Sequence, residues 1–131
     1  MNNLNNLALL VGRILLAGIF IWSGWNKLVH YDYMQGYMVS VGVPGWSMPI
    51  LILWELGGGL LLLLGAFTRP LALLLAAFCV ISACIAHRNF ADLDQFIHFT
   101  KNMAMTGGFL FVWVTGAGDF SLDRKLKLKW S

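Results

Sequence analysis

Four long apolar runs, at about residues 7–25, 48–67, 71–86 and 96–115, divide the chain, and none holds more than one Lys, Arg, Asp or Glu. Each is roughly 20 residues, the length that crosses a ~30 Å hydrocarbon core as a helix. Between the first two lies "LVHYDYMQGYMVSVGVPGW", richer in Tyr, Met and Gly and closed by a Pro-Gly turn. It reads as an interfacial segment, partly a short helix, with Trp25, Tyr31, Tyr33, Tyr37 and Trp46 at headgroup depth. The second and third runs are joined by "GAFTRPLA", where Thr68 can cap the next helix and Pro70 suits its first turn. "HRNFADLDQFIHF" is a short polar connection, and the tail after Gly118 is too small to fold alone. The pattern predicts an all-α membrane protein of one domain over residues 1–131: a four-transmembrane-helix antiparallel bundle with a short interfacial segment between helices 1 and 2.

Composition strengthens this picture. The 131 residues are 59% hydrophobic and 11% charged, where a soluble domain carries about 25% charged residues. The start, "MNNLNNLALLVGR", has no basic residue before Arg13 and no small-x-small cleavage site after it, so it reads as an uncleaved first span. With four spans, both termini share a side with Arg69, Arg124, Lys125, Lys127 and Lys129, against Lys27, Arg88 and Lys101 opposite. The positive-inside rule then predicts cytoplasmic termini. The net charge of +3 comes largely from the tail "DRKLKLKW", which suits anionic lipid rather than nucleic acid. Cys79 and Cys84, ~140° apart on a helix, are expected to remain separate thiols.

Helical wheels show where the charges point. Arg13 shares a stripe with Ala17, Phe20, Gly24 and Lys27, and Glu55 shares one with Met48, Gly58, Gly59, Leu62, Ala66 and Arg69. His87 aligns with Ala76, Val80, Ala83 and Cys84, and Lys101 with His98, Ala104, Met105, Gly108 and Thr115. Small residues let helices approach closely in lipid, so the charged stripes are expected to face inward. A lipid-facing carboxylate costs roughly 2.5 to 3.5 kcal/mol even on mild scales, hence Glu55 must be paired, protonated or hydrated. At ~1.5 Å per residue, Lys101 matches its depth, Lys27 and His87 lean in from the rim, and Arg13 needs tilt, reach or a water.

Two chemistries fit that cluster: a structural ion network that fixes helix register, or a proton-handling site beside a small ligand. The Gly57-Gly58-Gly59 run is expected to give close packing, with room for a flat ring as the alternative. His87 and His98, at the outer ends of adjacent helices, make a bis-His haem geometrically conceivable but too shallow to favour, and Asp92, Asp94 and His98 suit a solvated loop better than a metal; no metal is assigned.

The quoted residues also carry a resemblance. "GRILLAGIFIWSGWNKL", "GVPG", "LWELGGGLLLLLGAFTRPLA", "FTKNMAMTGGFL" and "GAGDFSLDR" resemble the DoxX family of small four-helix bacterial membrane proteins, from about Leu7 to Lys129. Gly116-Ala117-Gly118 stands where that family has Gly-Pro-Gly. The resemblance implies an inner-membrane protein and a subunit of a quinone-linked oxidoreductase, with quinone as the ligand and a partner protein supplying the redox cofactor. In that role Glu55 would be the catalytic proton donor or acceptor, within a binding cluster of Arg13, Lys27, Glu55, His87, Lys101 and Asn102. The alternative is a non-enzymatic carrier of a small ligand, or a membrane scaffold for a partner.

Overall fold

A computed structural model describes residues 2–86 and 89–127. Its elements are α1 (Asn3–Val29), α2 (Tyr31–Ser40), a 3-10 turn (Gly45–Ser47), α3 (Met48–Leu64), α4 (Thr68–Ala86), α5 (Leu93–Thr115) and the short α6 (Leu122–Lys125). Three stretches, Asn3–Val29, Gly45–Leu64 and Thr68–Ile85, are long and apolar enough to cross a membrane. The fourth expected span, α5, is long enough but more polar: Asp94, Gln95, His98, Lys101 and Asn102 occupy its first half.

Local chemistry sets the boundaries. Asn2 caps α1, its side chain accepting from the Asn5 N–H at 2.8 Å, so the helix begins four residues before the apolar run. Pro49 fits the first turn of α3, whose own N–H groups lack intrahelical partners in any case. Gly65, in the left-handed region at φ +75°, ends α3. Its N–H bonds to the Leu62 carbonyl and that of Ala66 to the Leu61 carbonyl, the paired pattern of a glycine-terminated helix.

α4 departs from expectation. Thr68 does not cap it; the backbone N–H groups of Phe67 and Thr68 instead donate to the Asp123 carboxylate at 2.7 and 2.9 Å. A carboxylate there satisfies orphan donors and meets the positive end of the helix dipole. The tail therefore completes a helix that begins 55 residues earlier in the chain.

The helices pack as two antiparallel pairs. Gly24 of α1 lies on Leu56 of α3, and Gly59 lies on Ala17 and Ile21. A Cβ at Gly59 would stand 3.2 Å from the Ala17 carbonyl oxygen, so this crossing depends on glycine. Asn102 of α5 reaches Cys79 of α4 near one end, and Arg69 of α4 reaches Thr115 of α5 near the other. Phe20 joins the pairs, its ring centroid 5.6 Å from that of Phe109 and 6.1 Å from that of Phe78. The predicted inward stripes of α1 and α3 are buried as expected. In α4 the expected Ala76 and Ala83 are buried, but Cys79 is buried where Val80 and Cys84 are exposed; in α5 the buried face is shifted by one residue, to Asn102 and Phe109, with His98 and Ala104 exposed. The α5 stripe is centred on Lys101, whose long side chain reaches the inner face without its Cα occupying the buried position.

Candidate functional site

One turn of α1 separates Ser23 from Lys27, so both project on one side and meet Glu55 of α3. Lys27 Nζ lies 2.9 Å from Glu55 Oε2 and 3.1 Å from Oε1, and donates to Ser23 Oγ at 2.9 Å. Ser23 Oγ in turn lies 3.3 Å from each carboxylate oxygen. Lys27 is 8% exposed and Glu55 5%. Two charges so withdrawn from water require each other, and the serine supplies a further polar contact that desolvation would otherwise remove.

α4 and α5 build the opposite wall. The Asn102 amide donates to the Cys79 carbonyl at 3.2 Å and to Ser82 Oγ at 3.0 Å. Beside it, Lys101 Nζ lies 3.3 Å from His98 Nδ1. The two walls enclose a cavity of about 120 Å³ with Phe20 and Phe78 between them. A second space of about 670 Å³ shares Lys27, Glu55 and Lys101 with it and extends to Tyr33 and Tyr37 of α2 and to Asp94 and His98 of α5. Burial, with Asp92 and Tyr33 adding to it, pushes the Tyr37 phenol above its ordinary range, so it lines this vestibule as a neutral group.

The charges do not cancel. Glu55 is matched by Lys27, while no carboxylate among the described residues lies within ion-pair distance of Lys101. The cavity thus sets the Lys101 amino group, within reach of a carbonyl or anionic oxygen, beside the Lys27–Glu55 pair.

Of the expected cluster, Lys27, Glu55, Lys101 and Asn102 line one cavity. The depth estimate matched Glu55 to Lys101, but the ion pair forms with Lys27, whose long side chain reaches down from the rim. His87 lies outside the described residues. Arg13 goes elsewhere: Nη1 donates to the carbonyls of Leu62 at 3.1 Å and Leu63 at 2.9 Å, and Nη2 donates to that of Phe120. A guanidinium at the carboxyl end of α3 satisfies orphan carbonyls and meets the negative end of the dipole. Arg13 and Asp123 together tie the tail across the α3–α4 turn, where Asp123 N–H also donates to the Gly65 carbonyl at 2.9 Å. Asn6 and Asp119 add a reciprocal pair of hydrogen bonds, at 2.8 and 3.0 Å.

Sequence reasoning missed Ser23, Ser82 and Asp123. Ser23 was legible, since it stands four residues before Lys27 on the same helix face. Asp123 carried no signal, because no periodicity links a polar tail to a turn far upstream. Among the described residues no group of three or more His, Cys, Asp or Glu side chains is placed to hold a metal.

Long apolar helices packed around buried charges define a multi-pass membrane protein. The chain belongs to the DoxX family, whose model matches residues 8–88, from α1 through α4. It is 44% identical over 130 residues to the inner membrane protein YqjF of Escherichia coli strain K12, covering 99% of this chain and 100% of that protein. It is 37% identical over 128 residues to the inner membrane protein YphA of the same strain, covering 89% of each. No solved structure matches the chain.

Proposed function

We propose that this protein is a ligand-binding inner-membrane subunit of a quinone-linked oxidoreductase, built as a four-span antiparallel bundle with both termini in the cytoplasm. The observation that carries the reading is that the Lys27–Glu55 pair borders a cavity also faced by Lys101. A pair that only fixed register would need neither the space nor the second ammonium. In this reading a quinone carbonyl accepts a hydrogen bond from Lys101. Reduction to the quinol takes up two electrons, assigned to a partner subunit, and two protons from water in the vestibule, one passed through Glu55, which is reprotonated from that water, and the other delivered directly to the second quinone oxygen.

The fourth span is α5, whose polar first half lies against α4 and the cavity and whose second half, from Phe109, is apolar. Arg69, Lys125 and Lys127 mark the cytoplasmic end by charge bias. Inner-membrane placement is supported by the location named for both relatives. The polar groups of the vestibule, Asn26, Lys27, Ser82 and Lys101, support a second reading, a non-enzymatic carrier of a small water-soluble anion.

Titrating detergent-purified protein with a short-chain quinone, followed by tryptophan fluorescence, tests the assignment. Saturable binding that is lost in Lys101→Met at unchanged melting temperature is expected. Absence of quinone binding to the unaltered protein sinks it, and binding of a soluble carboxylate in its place selects the carrier. A reporter fused after the tail checks topology: activity only in the periplasm reverses the orientation.

A further inference from the structure

At the end of the bundle remote from the Glu55 cavity, α1 and α5 do not close on each other. They meet at Phe20–Phe109 and at Leu16–Gly108, and beside these contacts lies an open groove of about 480 Å³. Its walls are apolar, from Leu9, Leu16, Phe111 and Val112, with Arg13, whose Nη groups are turned to backbone carbonyls, also in the lining, and glycine leaves it open: nothing stands within 4 Å of where a Cβ on Gly12 would lie. Thr115 also lines it. The carbonyl of Thr115 accepts from Arg69 Nη2 at 3.4 Å.

Arg69 differs from the other charges at this end. Arg13 spends its Nη groups on three backbone carbonyls. Asp119 pairs with Arg124 at 3.0 Å, and Asp123 accepts from Phe67 and Thr68. Both neighbouring carboxylates are thus engaged, and no carboxylate among the described residues lies within ion-pair distance of Arg69. Its Nε, like that of Arg13, is buried without a hydrogen-bond partner among the described residues, so the distinction of Arg69 lies in its Nη groups, of which only Nη2 meets a carbonyl there, that of Thr115. An apolar trough with an acid-free guanidinium at its end matches the two halves of one ligand class: a chain of methylenes bearing an anionic head.

We propose that this groove seats an acyl chain of an anionic phospholipid whose phosphate is held by Arg69. The site is separate from the Glu55 cavity and independent of the quinone reading. Its occupant is supplied by the bilayer itself, and binding would fill the gap between α1 and α5 with hydrocarbon.

Native mass spectrometry of the detergent-purified protein, titrated with phosphatidylglycerol and with phosphatidylcholine of matched chains, tests it. The unaltered protein should prefer the anionic lipid about fivefold, the worth of one basic side chain near a charged surface. Arg69→Gln should equalise the two lipids, and Arg69→Lys should keep most of the preference. Gly12→Leu projects into open space and so should leave the fold intact while weakening both lipids together. Equal affinity in the unaltered protein, a preference that survives Arg69→Gln, or Gly12→Leu without effect would each overturn the site. A dimer that Gly12→Leu dissociates would assign the groove to a second copy and likewise overturn it.

Discussion

Lys27 Nζ sits 2.9 Å from Glu55 Oε2 at the edge of a cavity, with Ser23 within reach of both groups. The pair joins α1 to α3 where Gly24 and Gly59 already bring the two backbones close. Glu55→Gln leaves Lys27 as a buried unpaired cation and should cost about 3 kcal/mol. Adding Lys27→Met should return most of that, a coupling that a double-mutant cycle measures by thermal unfolding in detergent. A double mutant as unstable as Glu55→Gln alone would show that the pair does not link the helices.

The three consecutive glycines of α3 should respond differently to alanine. Gly59 packs on Ala17 and Ile21, with Ile21 Cγ1 2.8 Å from the position of an added Cβ, so Gly59→Ala should destabilise by about 1 to 3 kcal/mol. At Gly57 a Cβ meets nothing within 4 Å, and Gly57→Ala should be neutral or stabilise by up to ~1 kcal/mol. Melting temperatures of the two variants decide. Equal effects would count against the α1–α3 crossing described here.

Asp123 holds the first N–H groups of α4 from outside the helix. Asp123→Asn keeps one acceptor oxygen and should cost about 1 kcal/mol, while Asp123→Ala removes both and should cost about 2 kcal/mol. Hydrogen exchange should quicken first at Phe67 and Thr68. Unchanged protection there would detach the tail from the turn.

Tyr37 gives α2 a pH limit. Its phenol is held above the ordinary value of 10.0, so the folded state keeps this proton longer than the unfolded chain does. The contribution to stability is full below the unfolded pKa and is lost as pH rises through the folded one. α2 should therefore loosen only in strong alkali, and Tyr37→Phe should remove that step. Proteolysis between His30 and Gly45 across pH 9 to 12 monitors it. Cleavage that rises equally in Tyr37→Phe would locate the trigger elsewhere.

What the sequence disclosed depended on whether a residue's role was local. Arg13, Lys27 and Glu55 were legible as inward-facing, because each lies on a stripe with small residues and a lipid-facing charge is costly. Their partners were not, since a wheel gives direction but says nothing of reach: Lys27 extends to Glu55, and Arg13 turns to the end of α3. Asn102, buried against α4, came into the cluster through the family resemblance, since the helical wheel points to the neighbouring Lys101. Thr68 had the composition of a cap, yet a carboxylate brought by the tail took the position. Long-range pairings of this kind leave no periodic trace.

The bond from Asp123 to the start of α4 gives synthesis a direction. A nascent chain can insert α3 and α4 well before Asp123 leaves the ribosome, but the corner between them stays without its anchor until it does. Products broken off before that residue would carry every hydrophobic helix and still display bare amide groups at the membrane boundary.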